Sequence, residues 1–138
     1  MSSNRDRLPR ALAYVAGALL VLSSAAHSFL GWAAMRPKMT AGNVPADLID
    51  GLGMGWHFAG LAMLVLGLLV FWLLAVSRRG ATNVRVPLLL IGCAYLLYAT
   101  GCAVVVGWDP FLMTFFLPGI LLSIAGALMP AQVASATE

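Results

Sequence analysis

Four apolar runs, each close to the thickness of a bilayer, alternate along the chain with polar breaks. The runs cover residues 10–32, 52–76, 86–107 and 111–129, and a membrane-spanning helix needs about 20 such residues. The breaks are an outer loop at 33–51, a basic loop at 77–85 and a tight turn at 108–110, with a short tail at 130–138. This pattern predicts an all-α protein: a single domain made of an antiparallel bundle of four transmembrane helices.

Within the runs, small residues recur at helical spacing. In the second run Gly53, His57, Gly60, Leu64, Gly67 and Phe71 follow one another at steps of three and four, which places them on one helix face. The first run has a matching line, Gly17, Leu20, Ser24, His27 and Gly31, flanked by Ser23 and Ser28. The fourth carries Gly119, Ser123 and Gly126. Lipid offers no hydrophobic force between helices, so such lines mark faces where another backbone comes close. Helices 1 and 2 are therefore expected to pack through their small-residue faces, with both histidines turned into protein.

The breaks carry their own signals. Trp32 is expected at the outer interface, where amphipathic rings gather. Pro45 with Asp47 behind it reads as a helix start, so helix 2 is expected to begin before the membrane and to bend at Gly51, Gly53 and Gly55. Asp109 and Pro110 read as N-cap and first residue of helix 4. The shortness of that turn makes helices 3 and 4 antiparallel neighbours. Pro118 with Gly119 is expected to kink helix 4. The first 26 residues imitate a secretory signal, ending in Ser24, Ala25 and Ala26, but the apolar run continues through Trp32, and a retained spanning helix is the expectation.

Composition agrees with a membrane setting. Of 138 residues, 62% are hydrophobic and 9% charged, with mean hydropathy +0.95; a soluble domain needs a more polar surface. The net charge of +3 does not point to nucleic acid, because the cations sit where topology needs them. Arg5, Arg7 and Arg10 precede helix 1, and Arg78, Arg79 and Arg85 lie between helices 2 and 3. The positive-inside tendency puts that end in the cytoplasm, giving an N-in, C-in chain. Cys93 and Cys102 fall on opposite faces of one helix, about 13 Å apart along its axis, and cannot bridge each other.

Candidate chemistry narrows to His27 and His57, the chain's two histidines. With N-in topology both lie roughly 8 to 10 Å below the outer interface, on facing helices, so the imidazoles are expected to approach each other. Three readings follow. The rings are neutral and hydrogen-bonded to Ser24, Ser28, Tyr95, Tyr98 or each other, as interhelical glue. Or they are axial ligands of a b-type haem in an electron-transfer subunit, haem- or quinone-linked, with room left by Gly31, Gly53 and Gly60; two histidines are too few for a closed zinc site. Or they floor a pocket for a small ligand, proton or lipid-soluble substrate, with Asp109 or Asp50 near its mouth. The pocket, in a small accessory or ligand-binding protein without enzymatic activity of its own, is the leading functional expectation.

The segments AAHSFLGW at 25–32 and DLIDGLGMGWHFAGLAML at 47–64 resemble a group of small, uncharacterised bacterial inner-membrane proteins of four helices. In these an H-x-x-x-G-W in the first helix is followed by G-W-H/Y-F-G in the second. The chain is also similar to DoxX-like proteins in length and topology. The resemblance implies a fold and a bacterial inner-membrane location, and no activity. Beyond the bilayer itself, the small faces from Gly92 to Ala99 and from Gly119 to Gly126 leave two expectations open: packing on each other, or association into a homo-oligomer or larger membrane complex.

Overall fold

The computed structural model describes residues 7–79 and 83–130; the middle of the expected basic loop, the expected tail beyond residue 130 and Arg5 lie outside the described residues. Four helices long and apolar enough to cross a membrane make up nearly all of it: α1 (Arg7–Ala41), α2 (Ala46–Arg78), α3 (Arg85–Val106) and α4 (Pro110–Leu128). The fold is an all-α bundle, as the apolar runs predict.

The helices come in two lengths. At 1.5 Å per residue the 22 residues of α3 and the 19 of α4 span about 33 and 28 Å, close to a hydrocarbon core of about 30 Å. The 35 residues of α1 and 33 of α2 span about 52 and 50 Å, so this hairpin projects well beyond the other. Here the structure corrects the expected outer loop at 33–51. Helix α1 runs past Trp32 through WAAMRPKMTA to Ala41, and α2 starts at Ala46, leaving residues 42–45 as the connection. Ala, Met, Arg and Lys are strong helix formers whatever their polarity. The drop in hydropathy marks where the apolar surface ends, not the helix.

The turn closes locally. Gly42 N–H donates to Lys38 C=O at 3.0 Å, and Asn43 takes a left-handed conformation, φ 57°, the residue after glycine most used to stop a helix that way. Pro45 caps α2 with Asp47 in its first turn, one residue earlier than its expected first helical place. At the two places where bends are expected, helix assignment is continuous: α2 is α-helical throughout Gly51, Gly53 and Gly55, and α4 continues through Pro118.

Helix α1 packs on α2 and α4, and α4 on α1 and α3, whereas α2 and α3 scarcely touch. Leu20, Val70, Leu74, Leu88 and Leu122 are fully buried at the centre. In the α3/α4 seam the backbones nearly meet: a Cβ on Gly92 would lie 2.7 Å from Ser123 N and 2.9 Å from Gly119 O. One on Gly126 would lie 3.0 Å from Leu89 N. The small faces on α3 and α4 are thus occupied by each other. Asp109 accepts from Phe111 N–H through Oδ1 at 2.7 Å, capping a 3-10 turn, Pro110–Leu112, that opens α4. Gly107 before it has φ 83°, a conformation that only glycine adopts readily.

The α1/α2 seam is tight at its basic half, where a Cβ on Gly67 would lie 3.0 Å from Gly17 O. Gly60 fits against Ser28 Oγ and the Ser24 carbonyl. Towards the projecting end this seam changes character, and the histidines lie there.

Candidate functional site

The first local departure is in α1 itself. Its helix is regular from Arg7 to Ala25, then widens into a π-helical turn over Ala26–Gly31, and becomes α-helical again from Trp32. A π turn is rare and must be compensated, because it disturbs the ladder of backbone hydrogen bonds. The compensation comes from α2: the Trp56 indole N–H donates to the His27 carbonyl at 2.7 Å. A half-buried indole N–H seeks such an acceptor, and the widened turn supplies one.

Two tryptophans then lock the helices together reciprocally. Trp56 of α2 seats against Gly31 of α1, where an added Cβ would come 2.9 Å from Trp56 Cζ2. Trp32 of α1 seats against Gly53 of α2, where a Cβ would come 2.7 Å from Trp32 Cζ2. These two glycines hold indoles, while Gly60 and Gly67 hold the opposite helix. The expectation that the whole stripe brings backbone to backbone is corrected for its outer half.

His27 is 9% exposed and lies flat on Trp56, with ring centroids 4.4 Å apart and planes 3° from parallel. Phe111 of α4 lies at 6.3 Å and 26°. Both ring nitrogens of His27 are buried without a hydrogen-bond partner. A buried polar group left unpaired costs about 1 to 3 kcal/mol. The neighbouring serines do not relieve it. Ser24 donates instead to Val21 C=O at 2.9 Å, and Ser28 packs on Gly60.

A cavity of about 370 Å³ adjoins the imidazole, walled by Ser23, Ala26, His27, Leu30, Gly31, Met63, Phe111 and Thr114. Trp56 does not line it, so it lies on the wider side of the histidine, towards Phe111. Helix α4 contributes a further polar feature: Pro118 has no N–H to give to the Thr114 carbonyl, so this turn of α4 has one backbone acceptor without its helical donor. A second cavity of about 360 Å³ shares the Gly31 and Phe111 walls and extends to Lys38 and Asp109. Asp109 lines this adjoining chamber and not the His27 cavity itself.

His57 is elsewhere. It is exposed, meets Trp32 edge-on at 6.0 Å and 63°, and lines a separate cleft of about 560 Å³ with Arg36, Asp50 and Met54. The two imidazoles neither stack on nor hydrogen-bond to each other: each packs on its own tryptophan. The reason is helical phase. The buried line of α2 runs through Gly53, Gly60, Met63, Gly67, Val70 and Leu74; between Gly53 and Gly60 it passes Trp56, three residues on, and leaves His57 to the side. The 53, 56, 60 spacing was the signal that would have picked out Trp56.

Tyr95 and Tyr98 also lie apart from His27. They line a cleft of about 210 Å³ between α2 and α3, with Met63 and Phe115. Tyr95 is buried and Tyr98 is 57% exposed, and Tyr98 meets Phe115 edge-on at 5.0 Å. Among the described residues, no group of three His, Cys, Asp or Glu side chains is placed to hold a metal ion.

Length, hydropathy and four spanning helices make this chain a small multi-pass membrane protein. Compared with known proteins, it matches no family model, no curated protein and no solved structure.

Proposed function

We propose that this protein binds a small, flat, largely apolar molecule carrying a polar atom, in the cavity between His27 and Phe111. The observation that carries the reading is a nearly buried imidazole whose two nitrogens have no partner, beside a cavity of about 370 Å³. Cavities for small molecules run from about 300 to 1,000 Å³ and combine apolar walls with a few polar groups. Trp56 fixes one face of the imidazole, leaving its edge and its wider face for a ligand. The unpaired nitrogens offer that ligand a hydrogen bond that no group of the protein supplies. The protein acts as a binding or accessory component in the membrane, and the site sits at the end of the bundle opposite Arg10 and Arg78. By the distribution of basic residues that end is the outer one of a bacterial inner membrane.

A b-type haem fits less well. Its second axial ligand would be His57, which lines a different cleft. One imidazole and a cavity at the lower end of the usual range suit a smaller ring. A quinone-like ring, apolar with carbonyl acceptors, matches the site's chemistry better.

The test uses 1,4-naphthoquinone as probe on the detergent-solubilised protein, following tryptophan fluorescence. His27→Phe keeps the stack on Trp56 and removes both nitrogens. It is expected to weaken probe binding at least tenfold while raising stability by about 1 kcal/mol, because an unpaired buried polar group is gone. His57→Phe is expected to bind the probe as the parent does. Equal binding by the parent and His27→Phe would refute the site.

A further inference from the structure

At the opposite end of the bundle, three guanidinium groups from two helices border one cavity. It measures about 480 Å³ and is walled by Arg7, Arg10, Ala11 and Tyr14 of α1 and Arg78 of α2. Arg10 and Arg78 are far apart in sequence and are brought together only by the α1/α2 hairpin. Each is held in place. Arg10 Nη2 donates to Ser77 Oγ at 3.3 Å, and the Arg78 guanidinium lies 5.5 Å from the centre of the Tyr14 ring, which itself stacks on Phe71 at 6.0 Å.

The positive-inside tendency accounts for cations at this end but not for their convergence. Cations needed only for topology gain by spreading into water and apart from one another. Here Arg10 Nη1 is buried without a hydrogen-bond partner. Among the described residues no carboxylate forms an ion pair with any of the three. Convergent guanidinium donors around a cavity suit an oxygen-rich anion, and the guanidinium fork pairs with two oxygens of a phosphate at once. The surface beside the cavity is apolar: Leu8 is 59% exposed and Val15 53% exposed. Basic pockets between helices at this depth are where anionic headgroups are held.

We propose that this cavity binds a phosphate group, supplied by the headgroup of an anionic phospholipid, with Arg10 and Arg78 as its principal donors. The site is independent of the His27 cavity and stands or falls separately.

The test is native mass spectrometry of the full chain in detergent, with dioleoyl phosphatidylglycerol, dioleoyl phosphatidylcholine and inorganic phosphate as the probes. Phosphatidylglycerol is expected to be retained at least tenfold better than phosphatidylcholine. Arg10→Gln and Arg78→Gln are each expected to lower that retention about tenfold. Arg79→Gln removes the same charge one residue away but outside the cavity, and is expected to leave retention unchanged. If Arg10→Gln does not fold, Arg78→Gln carries the comparison. Inorganic phosphate that displaces the lipid at millimolar concentration would support the site with a soluble phosphate as the source, and failure to displace it would support the lipid. Equal retention of the two lipids, or an Arg79→Gln effect as large as that of Arg78→Gln, would overturn the proposal.

Discussion

The two hairpins of this bundle use glycine for different ends. In α3/α4, Gly92, Gly119 and Gly126 bring the two helices into close contact, with backbone meeting backbone at Gly92 and Gly126. In the outer half of α1/α2, Gly31 and Gly53 admit tryptophans instead, and the helix widens into a π turn around His27. A cavity opens beside that turn. Close packing alone produces a rigid seam with no room for chemistry. Where large rings seat in glycine notches instead, cavities lie beside the seam.

The comparison breaks most visibly at Gly92. A Cβ there meets the Ser123 and Gly119 backbone, at 2.7 and 2.9 Å, and backbone cannot swing aside as a side chain can. Gly92→Ala is therefore expected to cost about 3 kcal/mol, the upper part of the range for overpacking, read from unfolding in mixed detergent. The probe affinity of whatever protein remains folded should be close to that of the parent, because α3 lines neither wall of the His27 cavity. A loss under about 0.5 kcal/mol would mean that the α3/α4 seam is looser than described.

Trp56 tests the other half. Trp56→Phe keeps a ring against Gly31 but removes the N–H that satisfies the His27 carbonyl in the π turn. Leaving that acceptor unpaired is expected to cost about 2 kcal/mol. Amide exchange should quicken at residues 26–32 and stay unchanged in α3. Unaltered exchange in the turn would show that the π geometry does not depend on the indole.

How much of this was legible beforehand follows from the same contrast. The four apolar runs predict four helices because burial in lipid depends only on composition and length. The small faces of α3 and α4 left two arrangements open, packing on each other or on a further copy, and the contacts at Gly92, Gly119 and Gly126 fill them with each other. Asp109 and Pro110 announce their cap locally. The extent of α1 and α2 was hidden, since residues 33–41 mix Ala and Met with Arg36, Lys38 and a helix-disfavouring Pro37, so neither hydropathy nor Pro37 signals that the helix continues. The π turn was hidden too: nothing in AHSFLG specifies it, because its stabilising partner, Trp56, is 29 residues away. His57 was misplaced for a related reason. Two residues one apart on α2 differ in direction by about 100°, and the choice between Trp56 and His57 as the inward one is decided by which fits the notch at Gly31.

The smallest effect sharpens the comparison most. Gly55 in α2 and Gly101 in α3 lie within helices, and an added Cβ would find nothing within 4 Å at either. If the glycines that matter are those seated against a neighbour, these two carry only the entropic cost of glycine in a helix. Gly55→Ala and Gly101→Ala are then each expected to raise stability by about 0.5 to 1 kcal/mol, measured by the same unfolding assay. A gain at both positions confines the packing role of glycine to the seams described. A loss at either, as large as that at Gly92, would mean that the position meets an atom this chain does not itself supply. Crosslinking of that variant against the parent would then show whether a second copy provides it.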